Sequence, residues 1–142
     1  MPELPEVQTT ISGLQILTNK QITSIKIITH KLRYTIPKKT KYLIKNSRIL
    51  RIYRIAKYIL LNLDNNFSLV IHLGMSGRIK LVSSKVYKYN KHDHFILYLS
   101  NKKMLILNDQ RKFGFIDIIE TKKISNSKYF KRHHSYGSEE GY

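Results

Sequence analysis

Tyr58-Ile59-Leu60-Leu61-Asn62-Leu63-Asp64-Asn65-Asn66-Phe67-Ser68-Leu69-Val70-Ile71-His72-Leu73 is the stretch whose reading decides the fold. Two apolar runs rich in β-favouring residues flank Asp64-Asn65-Asn66, a turn signal, so the stretch reads as a hairpin. After Gly74-Met75-Ser76-Gly77 a further strand is expected over 78–82. Residues 83–93 form a polar loop with three lysines and two tyrosines. A second hairpin follows, 95–99 and 104–107 around Ser100-Asn101-Lys102, and a last strand over 115–119.

Working back toward the amino end, residues 21–30 carry Ile22, Thr23, Ile25, Ile27, Ile28 and Thr29, a β-branched run expected to be a strand. Residues 32–37 continue extended, because Pro37 biases its predecessor away from helix. Residues 38–47 form a basic connector or a short helix. Arg48, Arg51, Arg54 and Lys57 recur every third residue, which on a helix would make a basic stripe, yet Ile49, Ile52, Tyr53, Ile55 and Tyr58 favour strand. Periodicity leaves that segment open between helix and strand. Residues 5–18 read as a helix with Val7, Ile11, Leu14 and Leu17 on one face. The fold class is therefore mainly β with helices (α+β), antiparallel strands in a sandwich or barrel behind an N-terminal helix.

Composition sets the outer bounds. A chain of 142 residues holds one domain with a real core. The hydrophobic share of 42% and charged share of 25% are those of a globular protein. With no cysteine there is no disulfide, cysteine nucleophile or cysteine-ligated zinc within the chain. No apolar run is long enough for a membrane span, and the polar, acidic start is no signal peptide, so an intracellular, unsecreted protein is expected. The strong signal is charge: 26 Lys and Arg against 9 Asp and Glu give +17. Twelve Lys or Arg lie between Glu6 and Asp64 with no intervening acid. A polyanion, nucleic acid above all, is the partner that such a surface fits, with affinity that falls as salt rises.

The amino end, Met1-Pro2-Glu3-Leu4-Pro5-Glu6-Val7-Gln8, offers chemistry as well as a helix start. If Met1 is removed, Pro2 becomes a secondary amine titrating near the α-amino range of roughly 7.7 to 8.0. An unprotonated amine of that kind can form a Schiff base with a sugar carbon, and Glu3 beside it can donate or accept a proton. The plainer reading is that Pro5 and the acids simply open a helix. Lys91-His92-Asp93-His94 has two histidines and a carboxylate but no fourth ligand, so no metal is assigned to it.

Five pieces in order, Pro2-Glu3-Leu4-Pro5-Glu6-Val7, Ala56-Lys57-Tyr58-Ile59-Leu60, His72-Leu73-Gly74-Met75-Ser76-Gly77-Arg78, Lys91-His92-Asp93-His94 and Asn108-Asp109-Gln110-Arg111-Lys112-Phe113-Gly114, closely resemble the amino-terminal domain of formamidopyrimidine-DNA glycosylase. The resemblance runs from residue 2 to about residue 119. It implies a two-layer antiparallel β-sandwich with an N-terminal helix, and makes residues 48–63 strands. It implies a bifunctional base-excision-repair enzyme: the base is flipped out of the duplex, Pro2 attacks the sugar C1′ to expel an oxidised purine, and elimination nicks the DNA at the abasic site. Pro2, Glu3 and Lys57 are then the catalytic set, Glu3 as general acid and base and Lys57 on a phosphate at the lesion, with Glu6 as a supporting carboxylate.

The resemblance further places His92, Arg111 and Lys112 on DNA, and Met75, Arg111 and Phe113 in the gap that the flipped nucleotide leaves. The partner it implies is double-stranded DNA containing oxidised purines or abasic sites, met by a monomer without membrane contact. The domain is expected over 1–120, with 121–142 a basic, poorly ordered tail. Family members continue into a helix-two-turns-helix and usually a zinc finger, a region expected to be absent here, so no cofactor is expected in this chain. Lys112 stands where the family usually has arginine, keeping charge but losing the planar fork. The alternative is a truncated relative, catalytically weak or inactive, that binds DNA nonspecifically through its charge.

Overall fold

A computed structural model describes residues 4–130. Helix α1 (Leu4–Leu14) passes into a 3-10 turn, Gln15–Leu17, and a shorter helix α2 spans Thr40–Ile44. Eight strands follow the chain order β1 (Ile22–Ile27), β2 (Ile49–Ile55), β3 (Tyr58–Leu63), β4 (Phe67–His72), β5 (Gly77–Ser83), β6 (Asp93–Leu99), β7 (Lys103–Asp109) and β8 (Phe115–Glu120). They form two four-stranded antiparallel sheets, ordered β1-β6-β7-β5 and β2-β3-β4-β8. The expected sandwich and N-terminal helix are what the chain adopts.

The hairpin β3-β4 explains why the sheets must pack. Ile59, Leu61 and Leu63 alternate with Leu60, and Leu69 and Ile71 with Val70, so both faces of these strands are apolar. The first set joins the core between the sheets, with Val7, Ile11 and Leu14 of α1. The second set lies on the outer face with Tyr53, Ile55 and Phe115. Each fully buried Ile or Leu contributes roughly 1.5–3 kcal/mol, so a sheet with two apolar faces requires a cover on each.

That requirement corrects the expectation of a poorly ordered tail from residue 121. Residues 121–126 form a 3-10 helix, and Ile124 and Tyr129 are buried on the outer face of the β2-β3-β4-β8 sheet. Tyr129 packs edge-on against Tyr58 at 4.9 Å between ring centroids, and its hydroxyl donates to Asp117 Oδ2 at 2.5 Å. Burial, and then the Asp117 carboxylate, push its phenol well above the ordinary tyrosine range. Residues 131–142, the remainder of the expected tail, lie outside the described residues.

The segment that periodicity left open is β2, and a register shift explains its ambiguity. The pairing of β2 with β3 slips between Ile49 and Arg51, the mark of a bulge. With one extra residue, Ile49 and Ile52, three apart, both reach the inner core. The bulge accounts for the spacing of Ile49 and Ile52, while Arg51 and Arg54 fall on opposite faces of a regular strand. Its arginines also diverge: the Arg51 guanidinium lies over the Tyr53 ring at 4.3 Å, while Arg54 Nε donates to Gln8 Oε1 at 2.7 Å. Residues 32–37 depart from the extended reading, because buried Leu32 and Ile36 pin a short excursion whose Arg33, Tyr34 and Thr35 are exposed. Within it Leu32 N donates to Tyr34 O at 3.1 Å and Ile36 N to His30 O at 2.8 Å.

On the other sheet the polar loop 84–92 is tied down by one buried carboxylate. Asp93 is fully buried, paired with Lys80 Nζ at 2.9 Å, and accepts from Asn108 Nδ2 at 2.8 Å and Tyr87 Oη at 2.8 Å. Burial by itself would raise its pKa, but the hydrogen bonds from Asn108, Lys80 and Tyr87 outweigh it and hold the carboxyl below its ordinary value. A carboxyl with a lowered folded pKa binds fewer protons folded than unfolded, so its contribution to stability is present above an unfolded value of about 4 and is lost as pH falls through the folded value. Asp93→Asn is therefore expected to lower stability at pH 7 by roughly 1–3 kcal/mol and to flatten the acid limb of a urea-denaturation series. An acid limb that runs parallel to the unsubstituted protein's would contradict this role.

Candidate nucleic-acid interface

One row of the β2-β3-β4-β8 sheet fixes where the site lies. Tyr58 pairs with His72 and His72 with Phe115, so Lys57 before the first, Leu73 after the second and Gly114 before the third leave the sheet at the same end. In the other sheet Gly77 pairs with Asp109, and Asp93 with Asn108, which brings Ser76, Gln110 and His92 to the corresponding strand ends. The ladder thus gathers motifs that are scattered over more than fifty residues of sequence.

Lys57 sits in the two-residue turn that closes β2 onto β3, where Ile55 pairs with Tyr58. Its neighbour Ala56 has φ +51°, an uncommon value for a residue with a Cβ. Lys57 is half-buried. Helix α1 is aimed at this turn: Gln15 Nε2 donates to Ile52 O at 3.0 Å, and Gln8, two turns earlier, holds Arg54. The first turn of α1, with exposed Glu6, therefore lies toward the Ala56-Lys57 end of β2. Pro2 and Glu3 lie outside the described residues.

Met75 and Phe113 are large apolar side chains left in solvent, 52% and 44% exposed. Neither is packed in the core. The two loops that carry them touch through backbone. Gly74 has φ +63°, and a Cβ there would come within 2.6 Å of the Phe113 carbonyl carbon and 2.5 Å of Gly114 N. Only glycine allows that approach.

Arg111 and Lys112 are exposed between these apolar residues, Lys112 with φ +57°. Together with Leu32, Arg33 and Phe113 they line an open groove of about 590 Å³. Arg33 N donates to Gly114 O at 3.1 Å, which fixes the excursion at residues 31–35 as the groove's other wall. Arginine and lysine flanking an exposed aromatic ring suit a phosphate backbone with unstacked bases. Arg33 escaped the sequence reading, because its segment looked like a plain extended connector.

The histidines divide by burial. His92 is half-buried at the loop end, its N–H donating to Asn90 Oδ1 at 2.9 Å. His94 is buried, engaged at Nδ1 with Thr29 Oγ1 at 2.8 Å and at Nε2 with Asp109 O at 2.7 Å. With the Asp93 carboxylate turned to Lys80 and Asn108, the three do not face a common point, and no metal-binding group of three occurs among the described residues. His72 accepts at Nδ1 from Gly74 N at 3.1 Å and stacks on Phe115 at 5.2 Å, a turn-stabilising role. What sequence reasoning missed is Asp109, fully buried beneath the exposed side chains; it lies inside a quoted motif, but nothing local marks it as a hub.

Known proteins share this arrangement. The family model described as Formamidopyrimidine-DNA glycosylase N-terminal domain matches residues 1–116. The formamidopyrimidine-DNA glycosylase of Rickettsia africae is 43% identical over 122 residues, covering 85% of this chain and 44% of the relative. That of Zymomonas mobilis is 38% identical over 132 residues, covering 92% and 48%. The crystal structure of Lactococcus lactis Fpg with DNA containing an abasic site superposes with TM-score 0.80 at 28% identity, over 88% of this chain and 46% of that one. A Lactococcus lactis Fpg complex with DNA containing Fapy-dG gives 0.79 at 28% identity over 87% and 46%. The chain spans about half the length of the curated relatives it matches. With the family match covering most of its length and the same two sheets underneath, this chain belongs to the formamidopyrimidine-DNA glycosylase family and carries that family's N-terminal domain.

Proposed function

We propose that this chain carries the catalytic half of a bifunctional DNA glycosylase and abasic-site lyase acting on oxidised purines in duplex DNA, and so works wherever the cell keeps its DNA. The observation that carries the reading is the convergence, at one end of the sandwich, of the Lys57 turn, the first turn of α1, and the loops bearing Met75, Arg111 and Phe113. Relatives named for formamidopyrimidine-DNA glycosylase activity, and neighbours solved with abasic or lesion-containing DNA, support the substrate class.

The chemistry follows from the residue types. With Met1 removed, the Pro2 nitrogen lone pair attacks C1′ of the flipped nucleotide, and the C1′–N bond breaks with its electrons leaving on the base. Glu3 protonates the sugar ring oxygen as the ring opens, leaving an iminium between Pro2 and C1′. Loss of a C2′ proton then expels the 3′ phosphate, and a second elimination expels the 5′ phosphate. Lys57 holds a lesion phosphate as a compact cation, with Glu6 supporting the first turn. His92, Arg111 and Lys112 contact the DNA backbone or bases, while Met75 and Phe113 enter the stack beside Arg111. No step calls for a bound metal.

Charge alone supports a second reading, a nonspecific DNA binder with no chemistry, because +17 suffices for salt-dependent binding to any duplex. Borohydride separates the two, since it reduces an iminium to a stable amine. The chain, processed to expose Pro2, is expected to form a covalent adduct with an abasic duplex in borohydride. Pro2→Gly, which replaces the secondary amine by a primary one, should weaken that adduct, acetylation of the processed amino terminus should abolish it, and Lys57→Ala should slow it by roughly tenfold or more through loss of one charged phosphate contact. A correctly processed chain that binds abasic duplex but never traps would leave the nonspecific reading standing.

A further inference from the structure

We propose that Asp109 and Ser76 are a positioning pair that locks Met75, Arg111 and Phe113 into one preformed wedge, and that this rigidity sets the preference for a duplex with a gap in its stack. The inference rests on the functional reading above, and names residues that neither touch DNA nor react.

The geometry is that of a hub. Asp109 is fully buried, and both oxygens of its carboxylate accept hydrogen bonds. Oδ1 accepts from Ser76 Oγ at 2.6 Å and from Lys112 N at 3.1 Å, and Oδ2 accepts from Gly114 N at 2.9 Å. Ser76 Oγ in turn accepts from Arg111 N at 2.9 Å. One side chain thus ties the loop after β4 to the loop after β7, and with Ser76 it holds three of the four backbone amides from Arg111 to Gly114. The Asp109 backbone extends the hub to a third loop, donating from N to His92 O at 3.0 Å and meeting His94 Nε2 at its own oxygen.

Met75 adjoins Ser76 in the chain, and Phe113 adjoins Lys112 and Gly114. The exposed side chains are therefore mobile only about their own bonds, while their backbones are held as one body. Pushing side chains into a base stack is unfavourable where the stack is intact and much less so where a base is missing. A wedge already ordered brings no further loss of loop entropy on insertion. Loosening it would weaken binding to the gapped duplex, and leave untouched the phosphate attraction that holds any duplex.

The test compares binding of the 142-residue chain to two labelled duplexes, one intact and one with a stable abasic-site analogue, across a salt series. A 2-aminopurine beside the gap reports unstacking by its fluorescence. The unsubstituted chain is expected to prefer the gapped duplex and to raise the fluorescence. Ser76→Ala and Asp109→Asn, each removing a hydrogen bond to the loops, should reduce the preference about tenfold and blunt the fluorescence rise, with affinity for intact duplex and its salt slope unchanged. Ser76→Thr, which keeps the hydroxyl, should retain both.

Ser76 is half-buried and outside the core, so Ser76→Ala keeps the fold even where Asp109→Asn does not. Preference and fluorescence retained in Ser76→Ala would overturn the pair's role alone. Equal weakening toward both duplexes would also overturn it, by showing a merely structural contribution. A parent chain that makes no distinction between the duplexes would overturn the functional reading together with this inference.

Discussion

The Asp109 carboxylate is the constraint on which the functional end depends. It accepts from Ser76, Lys112 and Gly114 at the point where two loops from different sheets meet. A buried carboxylate without partners would be strongly unfavourable, so the loops must close around it in one way. That closure leaves Met75 and Phe113 facing solvent, because their backbones are committed beneath them. The apolar surface of both side chains is thereby left in solvent.

Charge and core divide the work in the rest of the molecule. The two sheets bury a continuous apolar layer between them, and the outer face of the β2-β3-β4-β8 sheet gains a second cover from Ile124 and Tyr129. This leaves the surface to basic residues whose mutual repulsion the core must outweigh. Several are already committed within the protein: Arg54 to Gln8, Arg51 over Tyr53, Lys80 to Asp93. Arg33, itself over the Tyr34 ring, lines the groove with Arg111 and Lys112, where phosphate would relieve their repulsion.

How much of this was legible depends on the range of the interactions involved. The hairpin of β3 and β4 is plain in sequence, because its signals, alternation and an Asp-Asn-Asn turn, are local. β2 was not plain, since a bulge between Ile49 and Arg51 breaks its apolar alternation while its basic residues recur every third position as on a helix. The packed stretch around Ile124 and Tyr129 looked like tail, because three apolar residues, with Phe130, among polar ones reveal nothing until the sheet they cover is known. Exposed site residues were found through motif resemblance, whereas Asp109 and Ser76, whose partners lie up to 35 positions away, needed the fold. Pro2 and Glu3 remain a reading of sequence and family, lying outside the described residues.

If the two loops are one body, their amides must open together. Amide hydrogen exchange followed by NMR tests this most directly, at the N–H groups of Arg111, Lys112 and Gly114, which end on Ser76 Oγ and the Asp109 carboxylate. The account predicts a common protection for all three, lost together when Ser76 is replaced by alanine. Three unrelated exchange rates, with Lys112 and Gly114 indifferent to Ser76, would contradict it.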